Sequence, residues 1–255
     1  MNQVTAKLIS NAEIMPGAYL VWVEAAEIAP EAEPGQFVMV HCGEEVLLRR
    51  PLSIHQQEGD RIALLFNVVG KGTQWLSERQ AGEGIDLLGP LGNSFSIHEG
   101  AGNLLLVAGG MGIAPLRFLA QKALNRGRAI TLLLGAATAS QLYPGQLLPA
   151  EVQLVVATED GTSGERGMVT DLIPDFAGEA DQVFACGPPG MYRSMVELRG
   201  SINKPVQISL EVRMGCGRGI CYGCTVKTRQ GLKQVCADGP VFDLDDLLPD
   251  ELDLI

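Results

Sequence analysis

The sequence predicts a β-barrel followed by an α/β domain and a small C-terminal domain. Short alternating apolar runs, separated by turn residues, fill residues 1–98. Between 99 and 200 the apolar runs become continuous and alternate with segments of helical spacing. Residues 201–255 are rich in cysteine and glycine and end in an acidic stretch. Because such changes of pattern mark changes of architecture, we take these three ranges as the predicted domains.

The first domain is predicted to be a six-stranded antiparallel barrel. Alternation of apolar and polar residues is typical of a strand with one buried face, and six such runs joined by turns favour a small barrel. Pro34 with Gly35 marks one of the clearest turns. A short helix is expected at 73–79. The predicted strands are 4–9, 19–25, 36–41, 52–55, 62–69 and 85–88.

The second domain is predicted to contain a doubly wound parallel sheet. Short, fully apolar strands that alternate with helices indicate a sheet covered on both faces. Pro115 fits the first turn of the helix that follows the first of these strands. The predicted strands are 104–108, 130–134, 152–157 and 182–185, and the predicted helices are 116–125, 169–173 and 190–198.

The charge of the chain limits the kinds of partner it can have. Its 255 residues include 19 Lys and Arg against 30 Asp and Glu, a net charge of −11. Such a surface argues against nucleic acid or an anionic membrane as a partner. The start of the chain lacks the pattern of a secretory signal, and the longest apolar stretch, 104–116, is too short to span a bilayer. We therefore expect a cytoplasmic protein with no membrane segment.

Four cysteines near the C-terminus form the most specific motif. Their spacing, C-x4-C-x2-C followed by eleven residues and a fourth cysteine, is typical of a plant-type 2Fe-2S cluster. A disulfide framework is disfavoured by the absence of a secretory signal, and a zinc ribbon would require a second cysteine knuckle. The predicted cluster ligands are Cys216, Cys221, Cys224 and Cys236, whereas Cys42 and Cys186 are expected to remain free.

Two segments of the predicted barrel offer groups for a flavin nucleotide. Arg50 stands before a proline and is followed by Ser53. A guanidinium suits a pyrophosphate, and a hydroxyl suits a flavin edge. Gly72 and Thr73 open a short helix, whose N-terminus presents unpaired N–H groups. Taken alone, each segment also fits a purely structural interpretation, as a strand start or as a glycine turn with Thr73 as N-cap.

Two glycine-containing turns follow strands of the second domain. The first holds Gly109, Gly110 and Gly112, and the second holds Cys186, Gly187 and Pro188. Neither has the G-x-G-x-x-G spacing of the dinucleotide fingerprint, and either alone would fit a structural loop. Because both come at the carboxyl end of a predicted buried strand, together they indicate a nucleotide crevice.

In kind and order, these motifs resemble the ferredoxin–NADP reductase superfamily, in which a flavin barrel precedes a nucleotide domain. Within it the chain is most similar to the electron-transfer subunits of class 1B dihydroorotate dehydrogenases, because the four-cysteine loop follows the Cys-Gly-Pro turn. The resemblance covers essentially the whole chain and includes 89–93 and 236–242. It implies that FAD is held by Arg50, Pro51, Leu52, Ser53, Leu65, Phe66, Asn67, Gly72 and Thr73. It places the nicotinamide nucleotide on Gly109, Gly110, Gly112, Cys186, Gly187 and Pro188, and the cluster on the four cysteines.

The resemblance further implies an electron relay in pyrimidine biosynthesis. A catalytic partner subunit containing FMN would oxidise dihydroorotate, and the electrons would pass through the 2Fe-2S cluster and FAD to NAD+. Two copies of each subunit are expected to form a heterotetramer. No side chain of this chain is expected to act as an acid or base on dihydroorotate, so no catalytic residue is assigned.

Charge also favours NAD over NADP as the coenzyme. Residues 135–140, after the second strand of the predicted nucleotide domain, contain no cation. A 2′-phosphate there would lack a charged partner. Glu159 and Asp160, after the next strand, either add repulsion or form a solvated turn.

Two alternative functions remain open at the level of sequence. The first is a diaphorase-like subunit of a ferredoxin:NAD(P) oxidoreductase or of a sulfhydrogenase, although a fourth cysteine, Cys236, argues for the dihydroorotate type. The second is a redox sensor that holds a flavin and a cluster without turnover. The paired nucleotide turns argue against the sensor, and bleaching of bound flavin by NADH would discriminate the two.

Overall fold

The first hundred residues form a closed antiparallel barrel, as the alternation predicts. Its strands are β1 (Asn2–Met15), β2 (Ala18–Glu24), β3 (Phe37–Val40), β4 (Arg50–Glu58), β5 (Arg61–Asn67) and β6 (Gly84–Leu91), with α1 (Lys71–Ser77) between the last two. In this computed structural model, which describes residues 1–254, the strands run around the barrel in the order β1-β2-β5-β4-β3-β6. Neighbouring pairs are antiparallel throughout.

The first strand is much longer than predicted. β1 has 14 residues, because its first half pairs with β6 and its second half pairs with β2. Asn11 lies in the extension, and its Nδ2 contacts the carbonyl oxygens of Leu76 (3.1 Å), Ser77 (3.0 Å) and Arg79 (2.9 Å). The extension therefore binds the carbonyl end of α1, where helix carbonyls have no partner within the helix.

A second sheet follows the barrel, with helices on its faces. Its first elements are β7 (Asn103–Gly109), α2 (Ile113–Leu124), β8 (Ala129–Ala136), β9 (Gln153–Thr158), β10 (Glu165–Arg166), α3 (Ile173–Ala177), β11 (Gln182–Cys186), α4 (Pro189–Glu197) and α5 (Arg199–Ile202). The remaining elements are β12 (Val206–Ser209), β13 (Thr225–Thr228), β14 (Gly231–Gln234), α6 (Val235–Asp238) and β15 (Val241–Asp243). The sheet order is β10-β9-β8-β7-β11-β12-β15, with β13 and β14 forming a separate hairpin.

The sheet of the second domain takes strands from the third predicted range. β12 extends it in parallel beside β11, and β15 closes the edge in antiparallel orientation. Residues 201–255 thus contribute to the nucleotide sheet as well as carrying the cysteine loop. The chain leaves the sheet after β12, forms the loop and the hairpin, and returns as β15.

Helix boundaries differ from the prediction where prolines occur. α2 begins at Ile113 instead of 116, and Pro115 occupies its first turn, where a missing N–H costs nothing. The helix predicted at 169–173 is a 3-10 turn, Val169–Leu172, that continues into α3. Pro174 lies in the first turn of α3, which favours a helix start at that point.

The barrel and the sheet share a packed interface. α2 packs against β4, and its Phe118 belongs to the same buried cluster as Ile54 and Leu64 of the barrel. Gln182 of β11 is fully buried; its Nε2 donates to the Ser96 carbonyl (2.8 Å), and its Oε1 accepts from the His98 amide (2.9 Å). These contacts hold the connecting segment against the sheet.

The helices of the described chain are short. The 12 residues of α2 would extend about 18 Å, less than the thickness of a bilayer core. Among residues 1–254, no helix combines the length and the apolar character needed to cross a membrane. The cytoplasmic location stays a prediction.

Candidate functional site

A cavity of about 840 Å³ opens between the barrel and the segment that follows β12. The barrel side consists of the ends of β4 and β5, and the opposite wall consists of residues 209–214. The structure brings eight of the nine predicted flavin-binding residues to this cavity: Arg50, Pro51, Leu52, Ser53, Leu65, Phe66, Asn67 and Thr73. Its volume falls within the range of cofactor sites.

Gly72, the ninth predicted residue, lies behind Arg50 and is absent from the described lining of the cavity. A Cβ at Gly72 would come within 2.9 Å of Arg50 Nε, so the glycine makes room for the guanidinium. Nη1 of Arg50 donates to the Leu48 carbonyl at 2.7 Å. Gly72 therefore acts on the cavity through the placement of Arg50.

The two adjacent arginines have different partners. Arg49 forms a two-pronged ion pair with Asp86, with distances of 3.0 and 2.7 Å. Arg50 makes no ion pair with any described residue. Since both side chains border the cavity, Arg50 is the one whose charge is available to an anionic ligand such as a pyrophosphate.

Thr73 shapes the loop that precedes α1. Its Oγ1 accepts hydrogen bonds from the amides of Val69 (2.9 Å) and Gly70 (3.2 Å) and donates to the Gly70 carbonyl (3.1 Å). The N-cap of α1 is Gly70, so Thr73 caps the helix from its third position rather than from the N-cap itself. The hydroxyl is engaged within the loop, whereas the rest of the side chain faces the cavity.

A second cavity, of about 410 Å³, lies at the carboxyl ends of the parallel strands. The turn after β7 contributes Gly109, Gly110 and Gly112, and the turn after β11 contributes Gly187 and Pro188. The chain order reverses between β7 and β11, because β8 and β9 lie on one side and β12 on the other. Such a reversal is where open α/β sheets bind nucleotides.

The two nucleotide turns contact each other directly. A Cβ at Gly112 would overlap the Cys186 carbonyl group, and a Cβ at Gly109 would lie 2.8 Å from Cδ of Pro188. Both glycines therefore permit a backbone approach that other residues would prevent.

Cys186 lies behind the wall of the second cavity. Its side chain is fully buried and lies outside the described lining. Burial, together with the nearby Glu211 carboxylate, holds the pKa of the thiol well above its usual value. Of the predicted Cys-Gly-Pro residues, only Gly187 and Pro188 face the cavity.

Met111 and Glu211 border both cavities, and the sequence reasoning missed both. Glu211 follows β12, and its Oε1 lies 4.0 Å from the Cys186 sulfur. Glu211 is exposed but lines both cavities, and partial desolvation of its carboxyl group by the surrounding protein raises its pKa. The two cavities therefore adjoin each other, as sites for a flavin and a nicotinamide that exchange electrons must. No strand is predicted just before Glu211, so the sequence offered no local signal for it.

Each of the four cysteine sulfurs accepts a hydrogen bond from a backbone amide. Such donors are typical of thiolates that hold an iron–sulfur cluster. The pairs are Arg218 N to Cys216 Sγ (3.3 Å), Gly223 N to Cys221 Sγ (3.4 Å), Cys236 N to Cys224 Sγ (3.4 Å) and Gly219 N to Cys236 Sγ (3.1 Å). The loop glycines, which the sequence motif includes, supply two of these amides.

The four thiols lie close enough to interact. Cys216 interacts with Cys221, and Cys236 interacts with Cys224 and also with Cys216. Burial acts to raise the pKa of Cys216, but backbone N–H groups, first that of Arg218, outweigh it and lower the pKa to about 6. In residues 1–254, no three His, Cys, Asp or Glu side chains are grouped for a single metal ion. Four thiolates on one loop and the segment after it would suit a 2Fe-2S cluster, which is held by four cysteines.

The cysteine loop begins at the wall of the first cavity. Arg213 and Met214 line that cavity, and Cys216 follows two residues later. A Cβ at Gly217 would lie 2.6 Å from Met39 Cγ of β3, so the loop rests against the barrel. A cluster on this loop would therefore lie next to a flavin in the cavity. Cys42, in contrast, is buried in the barrel, and burial raises its pKa to about 11, as expected of a structural cysteine.

A flavin-type barrel, a nucleotide cleft at its side and a four-thiol loop define an oxidoreductase of the ferredoxin–NADP reductase type with an iron–sulfur segment. Residues 106–197 match the family described as "Oxidoreductase NAD-binding domain", and residues 211–248 match the "Iron-sulfur cluster binding domain of dihydroorotate dehydrogenase B". The chain belongs to the family of dihydroorotate dehydrogenase B (NAD(+)) electron transfer subunits.

Curated relatives support this assignment over almost the whole length. The electron transfer subunit of Desulforamulus reducens is 39% identical over 249 residues, covering 93% of this chain and 95% of the relative. That of Caldanaerobacter subterraneus subsp. tengcongensis is 36% identical, covering 96% and 98% respectively.

Solved structures show the same fold. The NADH-dependent reduced ferredoxin-NADP oxidoreductase, from work on flavin-based electron bifurcation, has a TM-score of 0.89 and 32% identity, covering 98% of this chain and 91% of that chain. The ferredoxin reductase of carbazole 1,9a-dioxygenase has a TM-score of 0.67 at 19% identity, covering 80% of this chain and 66% of that chain, which is a likeness of fold alone.

Proposed function

We propose that this chain transfers electrons from a dihydroorotate-oxidising partner subunit to NAD+, as part of pyrimidine biosynthesis. The observation that carries the proposal is the adjacency of the three sites. The cysteine loop starts at the wall of the first cavity, and Met111 and Glu211 border both cavities. When bound, the 2Fe-2S cluster would supply one-electron transfer and NAD would accept a hydride, and FAD, which exchanges electrons singly or in pairs, would connect the two. Membership of the family of electron transfer subunits supports the same function.

The residues of this chain bind and align the three groups. The unpaired Arg50 would hold the FAD pyrophosphate, while Ser53 and residues 65–67 would border the flavin. The glycines at 109, 110 and 112, with Gly187 and Pro188, would admit the nicotinamide nucleotide, and Met111 would border both the nucleotide and the flavin. Cys216, Cys221, Cys224 and Cys236 would hold the cluster. No acid–base step on dihydroorotate is assigned to any of these residues.

The outer face of the cysteine loop supports docking of the partner there. Ile220 and Tyr222 are 67% and 66% exposed, and Arg218 is exposed beside them. Exposed apolar, aromatic and arginine side chains on one short loop have the composition of an interface core. We propose that this face meets an FMN-containing dihydroorotate dehydrogenase subunit, and that two copies of each subunit form the complex.

The test is reconstitution of the complete relay. The chain is co-expressed with a dihydroorotate-oxidising flavoprotein from the same organism, and the complex is assayed under anaerobic conditions for reduction of NAD+ by dihydroorotate. We expect activity only when both subunits are present, and a mass corresponding to two of each. Oxidation of dihydroorotate by this chain alone, or failure of the two chains to associate, would refute the proposal.

A second candidate is a subunit of an NADH-dependent ferredoxin–NADP oxidoreductase. The likeness to such a structure, at 32% identity and a TM-score of 0.89, is the observation that favours it. The two functions differ in the electron partner. If reduced ferredoxin exchanges electrons with the purified complex and dihydroorotate does not, this second function replaces the first.

A further inference from the structure

His55 is fully buried at an irregular point in β4. Ile54 pairs with Leu64 and Gln56 pairs with the adjacent Ala63, so β4 advances by two residues while β5 advances by one. His55 is therefore the extra residue of a β-bulge. A bulge redirects the side chain of its extra residue, and here the imidazole contacts α2 and Tyr143 instead of a cross-strand neighbour.

The hydrogen bonds of His55 define its protonation state. Nδ1 lies 2.8 Å from the Ala114 carbonyl oxygen, which can only accept, so Nδ1 carries the proton. Nε2 lies 2.9 Å from the Tyr143 hydroxyl and accepts from it, because a neutral imidazole has one donor and one acceptor. Burial lowers the pKa of His55 to about 3, so the neutral ring persists at physiological pH.

Arg117 of α2 lies beside Tyr143. Its charge interacts with the Tyr143 side chain, and its Nε donates to the Leu147 carbonyl at 3.3 Å. Burial raises the pKa of Tyr143 to about 12, so its hydroxyl keeps the proton that His55 needs. The directions of both His55 hydrogen bonds are therefore determined: Nδ1 donates to Ala114, and Nε2 accepts from Tyr143.

The hydrogen bonds of His55 lie next to the wall of the flavin cavity. Ser53, on the wall of the flavin cavity, lies two residues before His55 on β4. Ala114 also lines that cavity, and it follows the Gly109–Gly112 turn with Met111, which borders both cavities. The His55–Ala114 hydrogen bond thus joins the flavin wall to the start of the helix that carries the nucleotide turn.

We propose that His55 is a positioning residue that sets the placement of the Met111 turn relative to the flavin wall, and so the alignment of nicotinamide with flavin. The inference rests on the proposed function, because it requires that both rings occupy the cleft. His55 touches neither ring; it acts through Ala114. Displacement of reacting atoms by about 1 Å lowers a rate up to about a hundredfold, so a loose turn would slow electron exchange without releasing FAD.

The experiment compares variants of the FAD-loaded protein with its cluster. His55→Phe keeps a ring and removes both hydrogen bonds, and Tyr143→Phe removes only the hydroxyl. Gln182→Met is the matched control, because it removes another buried polar link between the connecting segment and the sheet. Flavin reduction by NADH is followed by anaerobic stopped flow over a range of NADH concentrations, with FAD content and melting temperature measured in parallel.

We expect His55→Phe to lower the limiting rate at saturating NADH by roughly tenfold to a hundredfold with FAD content unchanged. Tyr143→Phe should show a smaller loss, and it remains informative if His55→Phe fails to fold. His55→Asn can still donate to Ala114 and should recover most of the rate. Gln182→Met should lower the melting temperature but leave the rate per flavin unchanged.

Three results would overturn the inference: unchanged limiting rates in both ring variants, equal slowing by Gln182→Met, or no recovery with His55→Asn. Each would mean that His55 serves general stability only. If NADH does not reduce the flavin of the wild-type protein, the proposed function itself is wrong. If NADH reduces the wild-type flavin but the variants behave as in one of these three results, only the role of His55 is wrong.

Discussion

The α-carbon of Gly112 lies against the carbonyl group of Cys186, so closely that a Cβ at 112 would overlap it. The two residues belong to turns 74 positions apart in the chain, and each turn ends a central strand of the parallel sheet. Gly112 itself lines the second cavity. A residue larger than glycine would separate the turns and deform the cavity they enclose.

Gly112→Ala should therefore weaken both the fold and nucleotide binding. The φ angle of Gly112 is −58°, which alanine adopts freely, so the effect arises from the contact alone. We expect a loss of about 1–3 kcal/mol in the free energy of unfolding, as is typical of overpacking, and weaker NADH binding. Gly178→Ala is the control, since a Cβ there meets nothing within 4 Å. Denaturant unfolding and NADH titration measure both effects; equal behaviour of the two variants would contradict the prediction.

Arg50→Ala should raise the dissociation constant of FAD by about tenfold to a hundredfold. A charge-assisted hydrogen bond contributes about 1.5–3 kcal/mol, which corresponds to roughly that change in dissociation constant. Arg49→Ala is the matched control, because the Arg49 guanidinium is already paired with Asp86. Titration of the apoprotein with FAD, followed by flavin fluorescence, gives both constants. A comparable loss in the two variants would indicate general electrostatics instead of a pyrophosphate contact.

Cys236→Ser should lose iron and acid-labile sulfide, whereas Cys42→Ser should retain both. The Cys236 sulfur lies within the amide-lined loop, and the Cys42 thiol is buried in the barrel next to the Val40 carbonyl. Iron and sulfide analysis per chain, with visible absorption spectra, separates the two variants. Cluster loss in both, or in neither, would show that the four-cysteine assignment is wrong.

NADH should be preferred over NADPH. Gly135, Ala136 and Ala137 line the nucleotide cleft without a cation, and Glu159 adds a carboxylate to the same wall. Asp160 is instead bound within its own turn by Thr162. Ala137→Arg should raise the use of NADPH, whereas Gln153→Arg, at the opposite end of β9, should not. Initial rates of dye reduction with each coenzyme provide the comparison, and a wild-type preference for NADPH would overturn the charge argument.

Stability should fall with acid more steeply in the wild-type protein than in His55→Phe. The pKa of His55 is lowered by burial from 6.5 to about 3, so between these values the unfolded state binds a proton that the folded state does not. Above pH 6.5 the titration of His55 does not change the free energy of unfolding. Below that, the free energy of unfolding decreases by about 1.4 kcal/mol per pH unit down to about pH 3. Denaturant unfolding at several pH values measures both slopes. Parallel slopes would show that His55 is not held neutral.

The local patterns of the sequence were sufficient for much of the architecture. Alternation of apolar residues determined the barrel strands, and continuous apolar runs determined the parallel sheet, because burial on one or two faces dictates the period directly. The four cysteines stood out by spacing alone, since three of them come from one tight loop. The glycine turns were also identifiable, because they follow strands within a few residues.

Contacts between distant segments were decided only by the tertiary structure. No local pattern indicates that β12 and β15 join the nucleotide sheet, that Gly72 lies behind Arg50, or that Glu211 borders both cavities. His55 looked like an ordinary strand residue, and its role arises from a bulge and from partners 59 and 88 positions away. Periodicity and spacing report how each segment is buried, whereas the order of strands in the sheet and the packing of α2 on the barrel determine which segments meet.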